Sequence, residues 1–568
     1  MKFSPSFALH GLLILGSSFL PGRMAFAQDS QSSFRRYAVA AVCPEATKAG
    51  LEVLRKGGNA VDASVALALA MAVTWPEAGN IGGGGFMLVH RPDRPAECIE
   101  YRETAPLATN PTFYSRTDST HTGKAVGVPG TLAGLYLAHK RHGKLPWPDL
   151  VQPALSLAQD GFAVYPGLAR SLNGALKNHS KNRFPELHRV LGPQGGATEW
   201  KAGMRLVQPD LAKAMKLIRD QGPDAFYKGP LGQAIVDTVA TSGGVMTMED
   251  LGLYKAMVRK PLTGTFRDSQ IIVPGPPSSG GFALLQMLNI LGELDLKQHP
   301  RYSKRTLQFI TEASRLAYRD RARFVGDPEF IPPPNFLLEK SYAVLLAKKI
   351  EPERFLSEGE LGEAIPLARE SEQTTHFSVM DGEGMAVSNT YTLEDSYGSG
   401  VIAKGYGFLL NNEMGDFNWV PGATDEKGRI GTPPNLIAPG KRMLSSQTPA
   451  IAVKEGRAWI VTGSPGGRTI PNTVTQVLLN LIAFDMSARE AVDAPRIHHQ
   501  WMPAVLRAEK TDKGENAEFE KAIKALEGMG MKVTRSRQGD AHTLVRRLKD
   551  GPIEAAPDLR IQGDARGD

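Results

Sequence analysis

Between Gln373 and Leu393 the sequence changes face at every residue, and this alternation constrains the fold more than any other feature of the chain. Thr375, Phe377 and Val379 fall on one side of an extended segment, and Thr374, His376, Ser378 and Met380 on the other, which is the period of a strand. Asp381-Gly382-Glu383-Gly384 supplies a turn, since glycine reaches positive φ without steric cost. A hairpin closed there pairs Asp381 with Met385, and stepping back one residue at a time along both arms sets Thr374 opposite Thr392. Directly opposed Cβ atoms lie about 4.5 to 5.5 Å apart, so the two hydroxyls are within reach of a shared hydrogen bond. An ordinary half-buried hairpin with a threonine pair reads the same way, so the stretch alone leaves both possibilities open.

The first residues follow a different logic. Met1-Lys2-Phe3 opens a short basic region, Phe7 to Leu20 is mostly apolar, and Ala25-Phe26-Ala27 has small residues at both ends of a cleavage triplet. That is a secretory leader spanning 1–27, which predicts a periplasmic or secreted protein, and it is too short and interrupted for a membrane span. No later run reaches the roughly 18 apolar residues of a transmembrane helix. The net charge of +7 is spread among nearly as many acids as bases, with no basic run interleaved with aromatics, so it is read as solubility and no nucleic acid partner is expected. Cys43 and Cys98, the two cysteines, are compatible either with a disulfide or with two buried thiols. His139 with His142, and His498-His499, lack metal-ligand company such as His-Glu-x-x-His, so neither a metal nor any other cofactor is expected.

Helix and strand signals alternate along the rest. A strand is expected from Tyr37 to Cys43, then helices over Pro44 to Arg55 and, started by Asn59 and Asp62, through Ala72. Asn80-Ile81-Gly82-Gly83-Gly84-Gly85 lacks the Lys-Ser/Thr of a phosphate loop and runs into strand-like Phe86 to His90, so close backbone packing explains it better. Further helices are predicted over 131–142, 149–160, 207–220, the apolar run ending at Leu294, and 302–323. The charged residues 351–372 read as an exposed connector, and Pro421 to Pro439 as a loop over a pocket.

Several short stretches hold candidate functional groups. Tyr101-Arg102-Glu103-Thr104-Ala105-Pro106 holds an arginine which, taken alone, is read as a solvated surface group. Asn411-Asn412-Glu413-Met414-Gly415-Asp416 carries two carboxylates; nothing separates their environments into the acid and nucleophile of a glycosidase. Lys441-Arg442-Met443-Leu444-Ser445-Ser446 and Ser464-Pro465-Gly466-Gly467 are each weak alone.

Taken together and in order, these stretches, with Gln373-Thr374-Thr375-His376-Phe377-Ser378-Val379 and Thr390-Tyr391-Thr392-Leu393, resemble the γ-glutamyltranspeptidase family of N-terminal-nucleophile hydrolases from about residue 36 to Arg560. The resemblance implies a four-layer αββα sandwich built from two fragments of one precursor, 28–373 and 374–568, cut between Gln373 and Thr374. It implies that Thr374 is the nucleophile and that Thr392 orients it. Arg102, Ser445 and Ser446 would hold the donor's α-carboxylate, and Glu413 and Asp416 its α-ammonium. The Gly466 and Gly467 amides would form the oxyanion hole. Expected substrates are γ-glutamyl donors such as glutathione, with water, amino acids or dipeptides as acceptors. Glu394 stands where the family commonly has asparagine, and Gly539-Asp540-Ala541-His542 where it usually has a Gly-Ser/Thr-rich turn. Three alternatives stay open: a glutaryl-type cephalosporin acylase, a poly-γ-glutamate-processing relative, and a non-enzymatic exported binding protein that remains one chain.

Overall fold

A computed structural model describes residues 32–115, 117–362, 373–419, 433–511 and 516–568. The expected leader, most of the loop 421–439 and the end of the connector 351–372 lie outside the described residues; the connector's described part includes the short helix Glu358–Leu361.

Two seven-stranded sheets dominate. One runs in the order Ser32–Phe34, Ile553–Ala556, Thr543–Val545, Arg457–Thr462, Ala450–Lys454, Ser269–Val273, Leu262–Phe266. The other runs Asp564–Gly567, Ala38–Ala41, Thr375–Met380, Ala386–Thr392, Gly84–Arg91, Arg94–Glu100, Met257–Arg259. The hairpin occupies the third and fourth places of the second sheet, so both its strands are flanked by partners.

Side-chain alternation sorts most of the apolar residues of the two sheets into three main cores, and these define the layers. Ala38, Ala40, Phe86, Leu88, Ile451, Val453, Val461 and Leu544 fill the space between the sheets. Their neighbours Val39, Ala41, Met87, Val89, Phe377 and Val379 face outward from the second sheet, onto helices that include Pro44–Arg55, Ala60–Thr74 and Trp147–Asp160. Ile271, Val273, Ala450, Ala452 and Ile460 face outward from the first, onto Ser279–Gly292, Lys304–Phe324 and Thr469–Ile482. Helix, sheet, sheet, helix is the expected αββα sandwich.

Local chemistry sets the helix ends. Asn59 accepts from the Val61 and Asp62 amides, both at 3.0 Å, and Asp62 accepts from the Asn59 amide at 3.0 Å, which completes a capping box. All residues of Ala60–Thr74 are buried, as befits a helix that is apolar on every side. Thr131–His142, Pro209–Gln221 and Lys304–Phe324 form close to their expected bounds. The strand Ser32–Phe34 and the helices Pro166–Asn178 and Pro230–Thr241 were not expected; both helices open with proline, which at the first helical position loses no hydrogen bond. Cys43 and Cys98 are both free and buried. Among the described residues no helix is long and apolar enough to cross a membrane.

Candidate active site

The hairpin pairs Thr375 with Tyr391 and Met380 with Ala386, and the Asp381 amide donates to the Met385 carbonyl at 3.0 Å, so the register is the one read from the sequence. It brings Thr374 to the strand end opposite Thr392, where both are buried. Their hydroxyls meet differently from the expected mutual bond. Thr374 Oγ1 donates to the Gln373 carbonyl at 2.8 Å, and Thr392 Oγ1 donates to the same oxygen at 3.0 Å. The intact peptide bond supplies an acceptor that competes with a hydroxyl–hydroxyl contact. Thr392 Oγ1 also accepts from the Glu394 amide at 2.9 Å, which fixes the threonine rotamer.

The glycine run lies beside the second hairpin strand in the same sheet, pairing Gly85 with Tyr391 and Gly84 with Thr392. A Cβ on Gly83 would overlap the Thr392 carbonyl, and one on Gly85 the Thr390 carbonyl, so only glycine lets the adjoining chain approach so closely.

One cleft is lined by Arg102, Gln373, Thr374, Thr392, Glu394, Asp416, Ser445, Ser446 and Gly467, which gathers most of the residues singled out in the sequence. Gln447 and Ile470 also line it; each lies beside a flagged motif, but neither carries a signal of its own. A larger groove of about 1120 Å³ opens around Phe184, Leu187 and Ile402 and shares no residue with this cleft.

Arg102 is almost wholly buried and forms the floor. Its Nη1 lies 2.6 Å from Glu413 and 3.4 Å from Glu103, and its Nη2 bonds the Asp416 carboxylate and, at 3.0 Å, the Leu444 carbonyl. The arginine expected to hold a carboxylate and the acids expected to hold an ammonium are therefore paired with each other. Burial opposes the Arg102 charge, yet Glu413, Glu103 and Asp416 outweigh it and hold the guanidinium firmly protonated. Burial also pushes the Glu413 and Glu103 carboxyls up, with Arg102 pulling the other way. A satellite core of Ala105, Tyr114, Met414, Phe417, Trp419, Ile437 and Met443 supports the loops that carry these charges.

Ser446 Oγ accepts from Arg321 Nη2 at 2.8 Å, and Arg321 Nε donates to Ser279 Oγ at 2.7 Å. Ser279 in turn donates from its amide and hydroxyl to the Ser445 carbonyl, at 2.7 and 2.6 Å. The serine pair is thus fixed to the start of the helix Ser279–Gly292. Arg321, one of five arginines in the helix Lys304–Phe324, gave no sequence signal.

Gly466 (φ +124°) and Gly467 (φ +53°) form the turn into the helix Thr469–Ile482, whose positive N-terminal end favours nearby negative charge. Gly467 lines the cleft and Gly466 precedes it. Gly539, in the segment that departs from the family pattern, packs on this turn; a Cβ there would overlap the Pro465 carbonyl and Ser464 Oγ. Glu394 lines the cleft with a left-handed backbone (φ +82°), an uncommon conformation for a side-chain-bearing residue.

The gamma-glutamyltranspeptidase family model matches residues 46–567. The chain is 40% identical over 538 residues to the glutathione hydrolase proenzyme of Escherichia coli (strain K12), covering 93% of this chain and 90% of that one. It is 36% identical over 540 residues to the acylase ACY 1 proenzyme of Pseudomonas sp. (strain SE83), covering 92% and 91%. Among solved structures, a cephalosporin acylase from Bacillus halodurans superposes with a TM-score of 0.84 at 24% identity, over 98% of this chain and 99% of that one.

Proposed function

The chain belongs to the gamma-glutamyltranspeptidase family, and on that premise we propose that it is a self-cleaving γ-glutamyl transferase and glutathione hydrolase whose nucleophile is Thr374. The observation that carries this reading is the convergence of two threonine hydroxyls on the Gln373 carbonyl, at 2.8 and 3.0 Å, in a cleft that also holds an arginine and a set of carboxylates.

In maturation, Thr374 Oγ1 attacks the Gln373 carbonyl carbon. The hydroxyl proton passes to the departing amide nitrogen, and an ester replaces the peptide bond. Water then splits the ester into a Gln373 carboxylate and a Thr374 with free hydroxyl and free α-amine. Thr392 donates to the oxygen that becomes negative in the tetrahedral intermediate, which lowers the barrier where charge develops. Fragments 28–373 and 374–568 remain associated. The strand arrangement supports this, because each contributes strands to both sheets and separation would break both. A leader ending at Ala27 would deliver the precursor to the periplasm or the exterior.

In turnover the new α-amine, with an ordinary pKa of about 7.7 to 8.0, takes the Thr374 hydroxyl proton near neutral pH. The hydroxyl attacks the γ-carbonyl of the donor while the Gly466 and Gly467 amides face the oxyanion. The leaving amine departs with the proton, and water or an acceptor amine resolves the γ-glutamyl ester, giving glutamate or a new γ-glutamyl amide.

Donor selection follows from the self-paired floor. An α-amino acid head brings one ammonium and one carboxylate, so it exchanges the Arg102–Asp416 pair for two new pairs, with Ser445 and Ser446 completing the carboxylate's hydrogen bonds. An acid without the amine takes the guanidinium but brings no ammonium to the Asp416 carboxylate in exchange, so it is expected to bind less well.

The similarity to an acylase proenzyme favours a second reading, glutaryl amide hydrolysis by the same threonine. The Glu413 and Asp416 carboxylates beside Arg102 weigh against it. Incubation with glutathione, with and without glycylglycine, decides. The proposal expects free glutamate in both and a γ-glutamyl dipeptide adduct only with glycylglycine; intact glutathione in both would refute it.

A further inference from the structure

The two loops that wall the donor cleft are joined by a single buried side chain outside it. Asn435 lies in the turn Pro433–Asn435 and is 3% exposed. Its Nδ2 donates to the Asp416 carbonyl at 2.7 Å, and its Oδ1 accepts from the Leu444 amide at 3.0 Å. Its own carbonyl accepts from the Asn418 amide at 3.1 Å. Arg102 joins the same two residues from the cleft side, through the Asp416 carboxylate and the Leu444 carbonyl. Asp416, Asn435, Leu444 and Arg102 thus form a closed ring.

The ring does not survive substrate entry in this form. A donor head that takes Asp416 with its ammonium and Arg102 with its carboxylate breaks the Arg102–Asp416 side. The Asn435 side then holds the spacing between the acidic turn and the serine loop. A carboxamide suits this from one position, because its separate NH2 and oxygen donate to a carbonyl and accept from an amide at once. The turn is also anchored independently of the cleft: Lys441 Nζ donates to the Leu436 carbonyl at 2.8 Å, and Gly326 packs so closely on the Pro434 carbonyl that a Cβ would overlap it.

We infer that Asn435 is a positioning residue for the donor's α-amino acid head, fixing the distance between Asp416 and the Leu444–Ser446 loop while Arg102 is engaged by substrate. The inference rests on the reading of the cleft as a γ-glutamyl donor site. It separates binding from chemistry, since Asn435 touches neither the threonine pair nor the Gly466–Gly467 turn.

The test uses fully processed Asn435→Asp, which keeps the shape and the acceptor but loses the donor, and Asn435→Ala, with initial rates on a γ-glutamyl anilide. KM is expected to rise about tenfold or more in both, the equivalent of about 1.4 kcal/mol, with kcat within about threefold of wild type and the two fragments formed normally. An unchanged KM in both variants overturns the inference, and so does a kcat that falls in step with a rising KM, the pattern of a general loosening. Wild-type protein that ignores the γ-glutamyl anilide would instead defeat the donor-site reading itself.

Discussion

Replacing Thr392 with valine removes one hydroxyl and keeps the branched shape of the side chain. In the intact chain that hydroxyl donates to the Gln373 carbonyl at 3.0 Å and accepts from the Glu394 amide at 2.9 Å. The first bond points at the oxygen that turns negative when Thr374 attacks, and one such oriented donor is worth about 3 kcal/mol, or about a hundredfold in rate. The second holds a residue at φ +82°, so its loss also loosens the backbone that follows the threonine. Self-cleavage of Thr392→Val is therefore expected to slow at least about a hundredfold, with Thr392→Ser recovering most of the rate. Denaturing electrophoresis at timed intervals after expression or refolding reads this directly, as unprocessed chain against two fragments. Wild-type cleavage kinetics in Thr392→Val would refute the argument that this hydroxyl stabilises the developing charge.

Three other outcomes follow from the same geometry. Asp416→Ala leaves Arg102 one counter-charge short and removes a partner of the donor's ammonium, so kcat/KM on a γ-glutamyl anilide is expected to fall about a hundredfold or more; a loss under tenfold contradicts the ion-pair exchange. Gly466→Ala forces a side chain onto φ +124° and against Thr469 Oγ1, and should lower kcat far more than it changes KM, as steady-state kinetics will show. Acid stability follows from buried imidazoles: burial depresses His542 to about 4 and His498 to about 3. The unfolded chain takes up these protons near pH 6.5 and the folded chain does not. Their contribution to stability is therefore full above about pH 6.5 and falls as pH drops towards 4, by on the order of 3 kcal/mol for His542 alone; a His542→Asn variant whose denaturant midpoint follows the same pH dependence as wild type across that window would contradict it.

The hairpin was legible because strand alternation and a glycine turn fix register within one short segment, and register alone brought Thr374 opposite Thr392. The layer order was carried by the family resemblance rather than by periodicity, since strands as short as Ser32–Phe34 hold too few residues to reveal a face. The structure brings the charged residues singled out in the sequence together, but their mutual pairing was not legible: Arg102 meets Asp416 through a loop crossing that no local pattern records. Arg321 and Asn435 stayed invisible for the same reason. Each acts by holding backbone or side-chain groups distant in sequence, and an arginine within a helix or an asparagine after two prolines looks ordinary alone.

Edman sequencing and intact mass of the purified, active protein test the central claim most directly. The account predicts two fragments, the smaller beginning Thr-Thr-His-Phe from Thr374, and mass added by a γ-glutamyl acylating agent on that terminal threonine alone. A fully active preparation whose Gln373–Thr374 bond is intact, or which is acylated at another residue, would contradict it.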